Sequence, residues 1–190
     1  PHFSHDGSMI IWAEKYEDDK AASLFGAWRV KLADIYIDSV GNATLENIRS
    51  IQPEGPKWYE THSFSGDDRR IYFSGNLTTD FKASDIYCYE IETGGLTNVT
   101  SSPATWEEMY NINPSDEDSY AFISSRFFDW NNKWGWGTLR TELYVHRNGQ
   151  DERITFFNSP NGAKRLSKSH FFIGDHFWSP DGKTLLAILA

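Results

Sequence analysis

The chain has 190 residues, with 18 basic and 27 acidic side chains and a formal charge of -9. That balance works against general affinity for nucleic-acid phosphates, and one cysteine excludes an intrachain disulfide framework. No stretch approaches the roughly 18 apolar residues of a membrane helix.

The first predicted element is a turn, Phe3-Ser4-His5-Asp6-Gly7, running into the apolar strand Met9-Ile10-Ile11-Trp12-Ala13. The phrase returns at intervals of about fifty to sixty residues, the mark of a repeat architecture. It reads Phe64-Ser65-Gly66-Asp67-Asp68 before Ile71-Tyr72-Phe73, and Ile112-Asn113-Pro114-Ser115-Asp116 before Tyr120-Ala121-Phe122-Ile123. The last copy is Trp178-Ser179-Pro180-Asp181-Gly182 before Leu185-Leu186-Ala187-Ile188-Leu189. The turn suits these residues: Pro presets φ, Asp bonds back to the backbone, and Gly takes the left-handed conformation.

A second landmark follows each apolar strand. Asp34-Ile35-Tyr36 matches Asp85-Ile86-Tyr87 and Glu142-Leu143-Tyr144. Each leads to a tight turn (Gly41-Asn42, Gly94-Gly95, Asn148-Gly149) and a short outer strand. Glu14–Ala27 and Thr105–Met109 have poor helical spacing and read as insertion loops. One unit is thus four antiparallel strands with loops of uneven length, and the fold class is an all-β propeller of such blades. Units are expected at about 1–60, 61–109 and 110–175, with a partial one at 176–190.

These phrases resemble the WD40-like PD40 repeat of TolB-type propellers. Trp178-Ser179-Pro180-Asp181-Gly182-Lys183 carries the repeat's first half, and Thr141-Glu142-Leu143-Tyr144, Asn148-Gly149 and Arg153-Ile154-Thr155 its second. Elsewhere the motif is degraded: Pro becomes His5 and Gly66, and Gly becomes Asp68. The resemblance implies a segment of a six- to eight-bladed ring, in the bacterial periplasm or attached to the cell envelope. It implies a non-catalytic module binding a protein or glycan ligand, with no cofactor. The alternative it implies is part of a propeller enzyme, either a metal-dependent polysaccharide lyase or the gate of a serine peptidase whose catalytic domain lies outside the chain. Three units and a fraction do not close a ring, so a second expectation is a homodimer that completes it, with Leu185–Leu189 exchanged.

Four groups of residues carry the candidate chemistry. His62 and His176 stand at equivalent positions, three residues before the aligned serines, with His170 nearby, and convergent imidazoles can hold a transition metal. Inner-strand packing explains them as well, and no metal is assigned. Phe128, Trp130, Trp134 and Trp136 belong to an aromatic insertion in the third unit that runs from Phe127 to Trp136, suited to stacking on sugar rings or to a protein hot spot. Phe25 and Trp28 extend that patch. No Gly-x-Ser-x-Gly elbow is present, and no catalytic residue is assigned. Cys88, in a predicted strand, reads as a buried structural thiol.

Overall fold

The computed structural model describes residues 1–15, 28–52, 57–77, 83–102, 104–128, 138–161 and 171–190. Its named elements are strands, arranged in three four-stranded antiparallel sheets and one hairpin. The first sheet holds β1 (His2–Phe3), β2 (Met9–Lys15), β3 (Trp28–Ile37) and β4 (Ala43–Ile51), ordered as in the chain. The second holds β5 (Tyr59–Phe64), β6 (Arg70–Gly75), β7 (Asp85–Glu90) and β8 (Leu96–Asn98). The third holds β9 (Glu107–Asn113), β10 (Asp116–Ser124), β11 (Glu142–Arg147) and β12 (Gln150–Arg153). The hairpin is β13 (Ile173–Trp178) with β14 (Leu185–Leu189). No helix among the described residues is long and apolar enough to cross a membrane.

The chain divides into two compact units, residues 1–81 with 86–99, and residues 82–85 with 100–190. In unit 1 the first two sheets share one apolar core. Ile11, Val30, Leu32 and Ile51 meet Tyr59, Phe64, Ile71, Phe73 and Tyr87. In unit 2, Ala121, Ile123, Leu143 and Val145 of the third sheet pack with Ile173, Trp178, Leu185 and Ala187 of the hairpin. β-Branched and aromatic residues at alternate positions give each strand one face for this packing.

Three of the four repeat turns are built alike. The Oγ–H of Ser4, Ser65 and Ser179 donates to Asp6, Asp67 and Asp181 at 2.8, 2.6 and 2.6 Å. Each Oγ also accepts from the backbone N–H five residues on, at Met9, Arg70 and Thr184. The motif's last position is left-handed, with φ of 73° at Gly7, 56° at Asp68 and 67° at Gly182. The third copy is different: Asp116 already pairs with Asn113 in β10 and β9, and Asn113 Oδ1, at the serine's position, accepts from the Ser115 N–H two residues on, at 2.9 Å.

Two expectations need correcting. Glu107–Met109 form the start of β9 instead of an insertion loop, because Ser124 and Ile123 supply ladder partners for Glu107 and Glu108. The Asp-Ile-Tyr landmark holds for β7 and β11, which begin at Asp85 and Glu142, but not for the first sheet. There β3 begins at Trp28, and Asp34-Ile35-Tyr36 lies near its far end. Pairing register puts Arg29 opposite Glu14 where Glu142 stands opposite Ser124, so the counterpart of Tyr144 is Lys31, not Tyr36. The acidic landmark has a structural task. Glu142 accepts from Arg153, the Thr155 hydroxyl and the backbone N–H of Phe157 and Asn158, anchoring the link that leaves β12. Asp85 accepts from Ser102 N–H in the same way.

Candidate functional site

The site begins where β10 ends. Ser125 N–H donates to the Trp106 carbonyl and Phe128 N–H to the Ser125 carbonyl, closing a tight turn over residues 125–128. Within it Phe127 takes a φ of 73° and is 84% exposed. A bulky residue in that region is a steric outlier, and nothing is recovered by burying its ring. The next residue, Phe128, is half-buried. Phe156, beyond β12, is 57% exposed.

Arg153 supports two of these rings, and Arg126 ties the turn to buried carboxylates and to the core. The Arg153 guanidinium lies 5.5 Å from the Phe128 ring centre and 4.7 Å from that of Phe156, within cation–π range. It is fixed there by Glu142 Oε1 at 2.8 Å and the Thr155 carbonyl at 2.8 Å. Arg126, in the turn itself, donates to Glu107 Oε1 at 2.7 Å and to Asp151, and lies over the rings of Phe122 and Tyr144 at 5.3 and 5.5 Å. Asp151 is also held by His146 Nδ1 at 2.7 Å, and the His146 ring stacks on Tyr120 with centroids 4.6 Å apart.

The electrostatics follow from burial. Glu107 is fully buried, and loss of solvent raises its pKa against the pull of Arg126. Burial opposes the charge on Arg126, but Glu107 and Asp151 outweigh it and push that pKa up. Asp151 loses solvent too, yet His146 and Arg126 bring its pKa below the usual carboxylate value. Burial raises the phenol of Tyr144, whose hydroxyl has no partner among the described residues. Both arginines are paired with carboxylates inside the unit, and the exposed surface of the site is that of the Phe127 and Phe156 rings. Such a surface can stack on a sugar ring or receive an apolar side chain.

Of the sequence candidates, Phe128 lies in this site. Trp130, Trp134, Trp136, His170 and Phe25 lie outside the described residues. Trp28 opens β3 and packs against the core of unit 1, so it belongs to no loop patch. His62, on β5, is buried with Nε2 2.5 Å from the Ser74 hydroxyl on β6, a hydrogen bond between neighbouring strands. His176, on β13, is fully buried and neither ring nitrogen makes a hydrogen bond among the described residues. Burial outweighs the favourable Ala121 backbone and lowers its pKa to about 4. Among the described residues no group of three His, Cys, Asp or Glu side chains could hold a metal ion. Cys88 is half-buried and its thiol pKa is raised by burial.

Arg153 and Phe156 carry no signal that singles them out in the sequence, and Phe127 shows there only as the first residue of the aromatic insertion. The left-handed backbone at Phe127 occupies a position where glycine is expected, and Arg153 reads only as part of an outer strand. No protein-family profile matches the chain, and no curated protein matches it significantly.

Proposed function

We propose that the chain is a non-catalytic binding module. In this reading it is a TolB-like propeller segment whose sheets are successive blades, placed in the bacterial periplasm or cell envelope. It engages a protein or glycan ligand through Phe127, Phe128 and Phe156, together with the insertion bearing Trp130, Trp134 and Trp136. Three sheets of the same four-strand plan, each packed face to face with a neighbour inside its unit, support the blade reading. The binding reading is carried by one observation: Phe127 keeps a bulky, 84% exposed ring on a backbone with φ of 73°. Strain held at an exposed aromatic is a mark of function, because stability alone would favour glycine there.

The test uses Phe127→Gly and the triple change Trp130→Ala, Trp134→Ala, Trp136→Ala against a glycan array and a displayed-peptide library. Phe127→Gly is expected to raise stability by about 1 kcal/mol and to abolish the wild-type hits. The triple variant is expected to lose the same hits with little change in thermal midpoint. Hits that survive both changes, or a wild-type chain that binds neither library, overturn the proposal.

A further inference from the structure

Among the described residues, the aromatic site offers a ligand rings and hydrogen-bond donors but no unengaged side-chain acceptor. Phe128 and Phe156 flank the Arg153 guanidinium at 5.5 and 4.7 Å. A guanidinium carries several N–H groups in a planar fork. Among the described residues Arg153 uses Nε on the Thr155 carbonyl and Nη2 on Glu142 Oε1, and Nη1 donates to no acceptor. Its side chain is still 20% exposed.

The other polar side chains around the rings are already engaged. Glu142 is fully buried under four donors. The Thr155 hydroxyl donates to Glu142 and accepts from Leu143 N–H. Asn158 donates its amide to the carbonyls of Thr141 and Phe171, and its Oδ1 accepts from Phe171 N–H. The Ser159 hydroxyl donates to the Phe156 carbonyl. Asp151 accepts from His146 on one oxygen and from Arg126 on the other. On the turn side, the Ser124 hydroxyl donates to Glu107, and the buried Ser125 hydroxyl accepts from Trp106 N–H.

This one-sided supply of groups selects among ligands. A sugar hydroxyl both donates and accepts, so a sugar laid on these phenyl faces would lose acceptors that water provides. A carboxylate would find the Arg153 charge already matched by Glu142 at 2.8 Å, on a chain of net charge -9. An ordinary peptide unit brings an N–H that needs an acceptor when it leaves water. Proline brings an apolar ring and a carbonyl acceptor but no N–H. In the extended polyproline conformation that carbonyl has no internal partner.

Building on the ligand reading above, we infer that the ligand is a protein segment, an extended stretch containing proline, and not a glycan. The pyrrolidine ring lies against the Phe156 ring, with Phe127 and Phe128 extending the apolar surface, and a backbone carbonyl accepts from Arg153 Nη1. The charge match is simple: the unengaged polar groups of the site are donors, and the segment presents oxygen acceptors.

The whole chain, offered a glycan array and two displayed-peptide libraries of equal length, one random and one with a fixed Pro-x-x-Pro, tests this. Hits are expected from the peptides, with proline enriched among those from the random library. Replacing the prolines of a recovered peptide with alanine should weaken binding about 10-fold or more. Phe156→Ala, at an exposed position, should weaken it similarly with the thermal midpoint nearly unchanged. Arg153→Lys keeps a cation opposite Glu142 but loses the planar fork, and should also cost about 10-fold in affinity. Should that variant fold poorly, the alanine peptides decide, since they leave the protein untouched. Peptide hits without proline enrichment, or indifferent to both the alanine peptides and Phe156→Ala, overturn this inference and leave the binding reading standing. Glycan hits without peptide hits do the same. A chain that binds neither overturns both.

Discussion

The two units are built on one plan and held together by different chemistry. In unit 1 the shared core is aliphatic and aromatic, and His62, bonded to Ser74, is the buried imidazole. Unit 2 buries Glu107, Glu108, Glu142 and His176 alongside its apolar core. Glu142 is satisfied by four donors, Glu108 accepts from the Trp106 indole, and Glu107 relies on Arg126 and Ser124. A repeat therefore fixes where strands and turns go without fixing what fills them. The unit with buried carboxylates also carries the aromatic site, and Arg153 serves both: it neutralises Glu142 and supports the rings of Phe128 and Phe156.

The largest expected effect is on that difference. Arg126→Ala leaves the fully buried Glu107 carboxylate without its cation, which costs about 3–5 kcal/mol for a broken buried pair. Chemical denaturation of the variant measures it. Replacing both partners, as Glu107→Leu with Arg126→Met, should recover most of the loss, because no unpaired carboxylate is left buried at position 107 and the part-exposed Asp151 keeps His146. A single variant as stable as wild type would erase the contrast between the units.

Acid should separate them next. His176 has a folded-state pKa of about 4 against an ordinary 6.5. Below pH 6.5 the unfolded chain takes up a proton that the folded state refuses, so stability is lost as pH falls from 6.5 to about 4. The loss is about 3 kcal/mol over that window. Glu107, with a raised pKa, acts with the opposite sign: its burden on the folded state is relieved as acid protonates it. Asp6, Asp67 and Asp181 have pKa values lowered by hydrogen bonds from neighbouring serines, so their contribution disappears only below about pH 4. His176→Leu should flatten the stability profile between pH 6.5 and 4 in denaturant titrations. An unchanged slope would mean that His176 is not the group responsible.

Much of this architecture was legible in the chain. Turn residues such as Gly7, Gly182 and Asn148-Gly149 carry backbone requirements that few other residues meet, and they fall where left-handed φ values occur. Register was less legible. Asp34-Ile35-Tyr36 copies the letters of Asp85-Ile86-Tyr87, but strand pairing is decided by which face is buried, and that shifts β3 so that Trp28, Val30 and Leu32 meet the core. The site was legible only at Phe127 and Phe128, as the start of the aromatic insertion. Cation–π support from Arg153 and the strained turn at Phe127 depend on how β10 and β12 are brought together, which no local pattern encodes.

A smaller effect separates the turns by their surroundings. A Cβ on Gly182 would sit 2.2 Å from Asn113 Oδ1 and 2.9 Å from Ser115 Cβ, whereas one on Gly7 meets nothing within 4 Å. Asn113 cannot easily give way, because Oδ1 accepts from Ser115 N–H while Nδ2 donates to the Gly182 carbonyl. Gly7→Ala should cost only the left-handed penalty, about 1 kcal/mol, and Gly182→Ala about 2–3 kcal/mol. Equal losses would show that the Asn113 contact yields.

The smallest expected effect is at Asp68, where the motif's glycine is replaced. In unit 2 the neighbouring turns lock when Asn113 Nδ2 and Ser115 Oγ donate to the Gly182 and Asp181 carbonyls. In unit 1 the polarity is reversed: the Asp68 carboxylate accepts from the backbone N–H of His5 and Asp6, at 2.8 and 3.0 Å, and from His5 Nδ1. Its left-handed φ of 56° costs what glycine would avoid, and the clasp offsets that cost. Asp68→Gly should therefore be nearly neutral, within about 0.5 kcal/mol, since it exchanges strain for lost hydrogen bonds. Asp68→Ala keeps the strain and loses the clasp, and should cost about 1–2 kcal/mol. If the glycine variant were instead clearly more stable than wild type, the carboxylate clasp would contribute nothing, and Asp68 would be a worn copy of the motif after all.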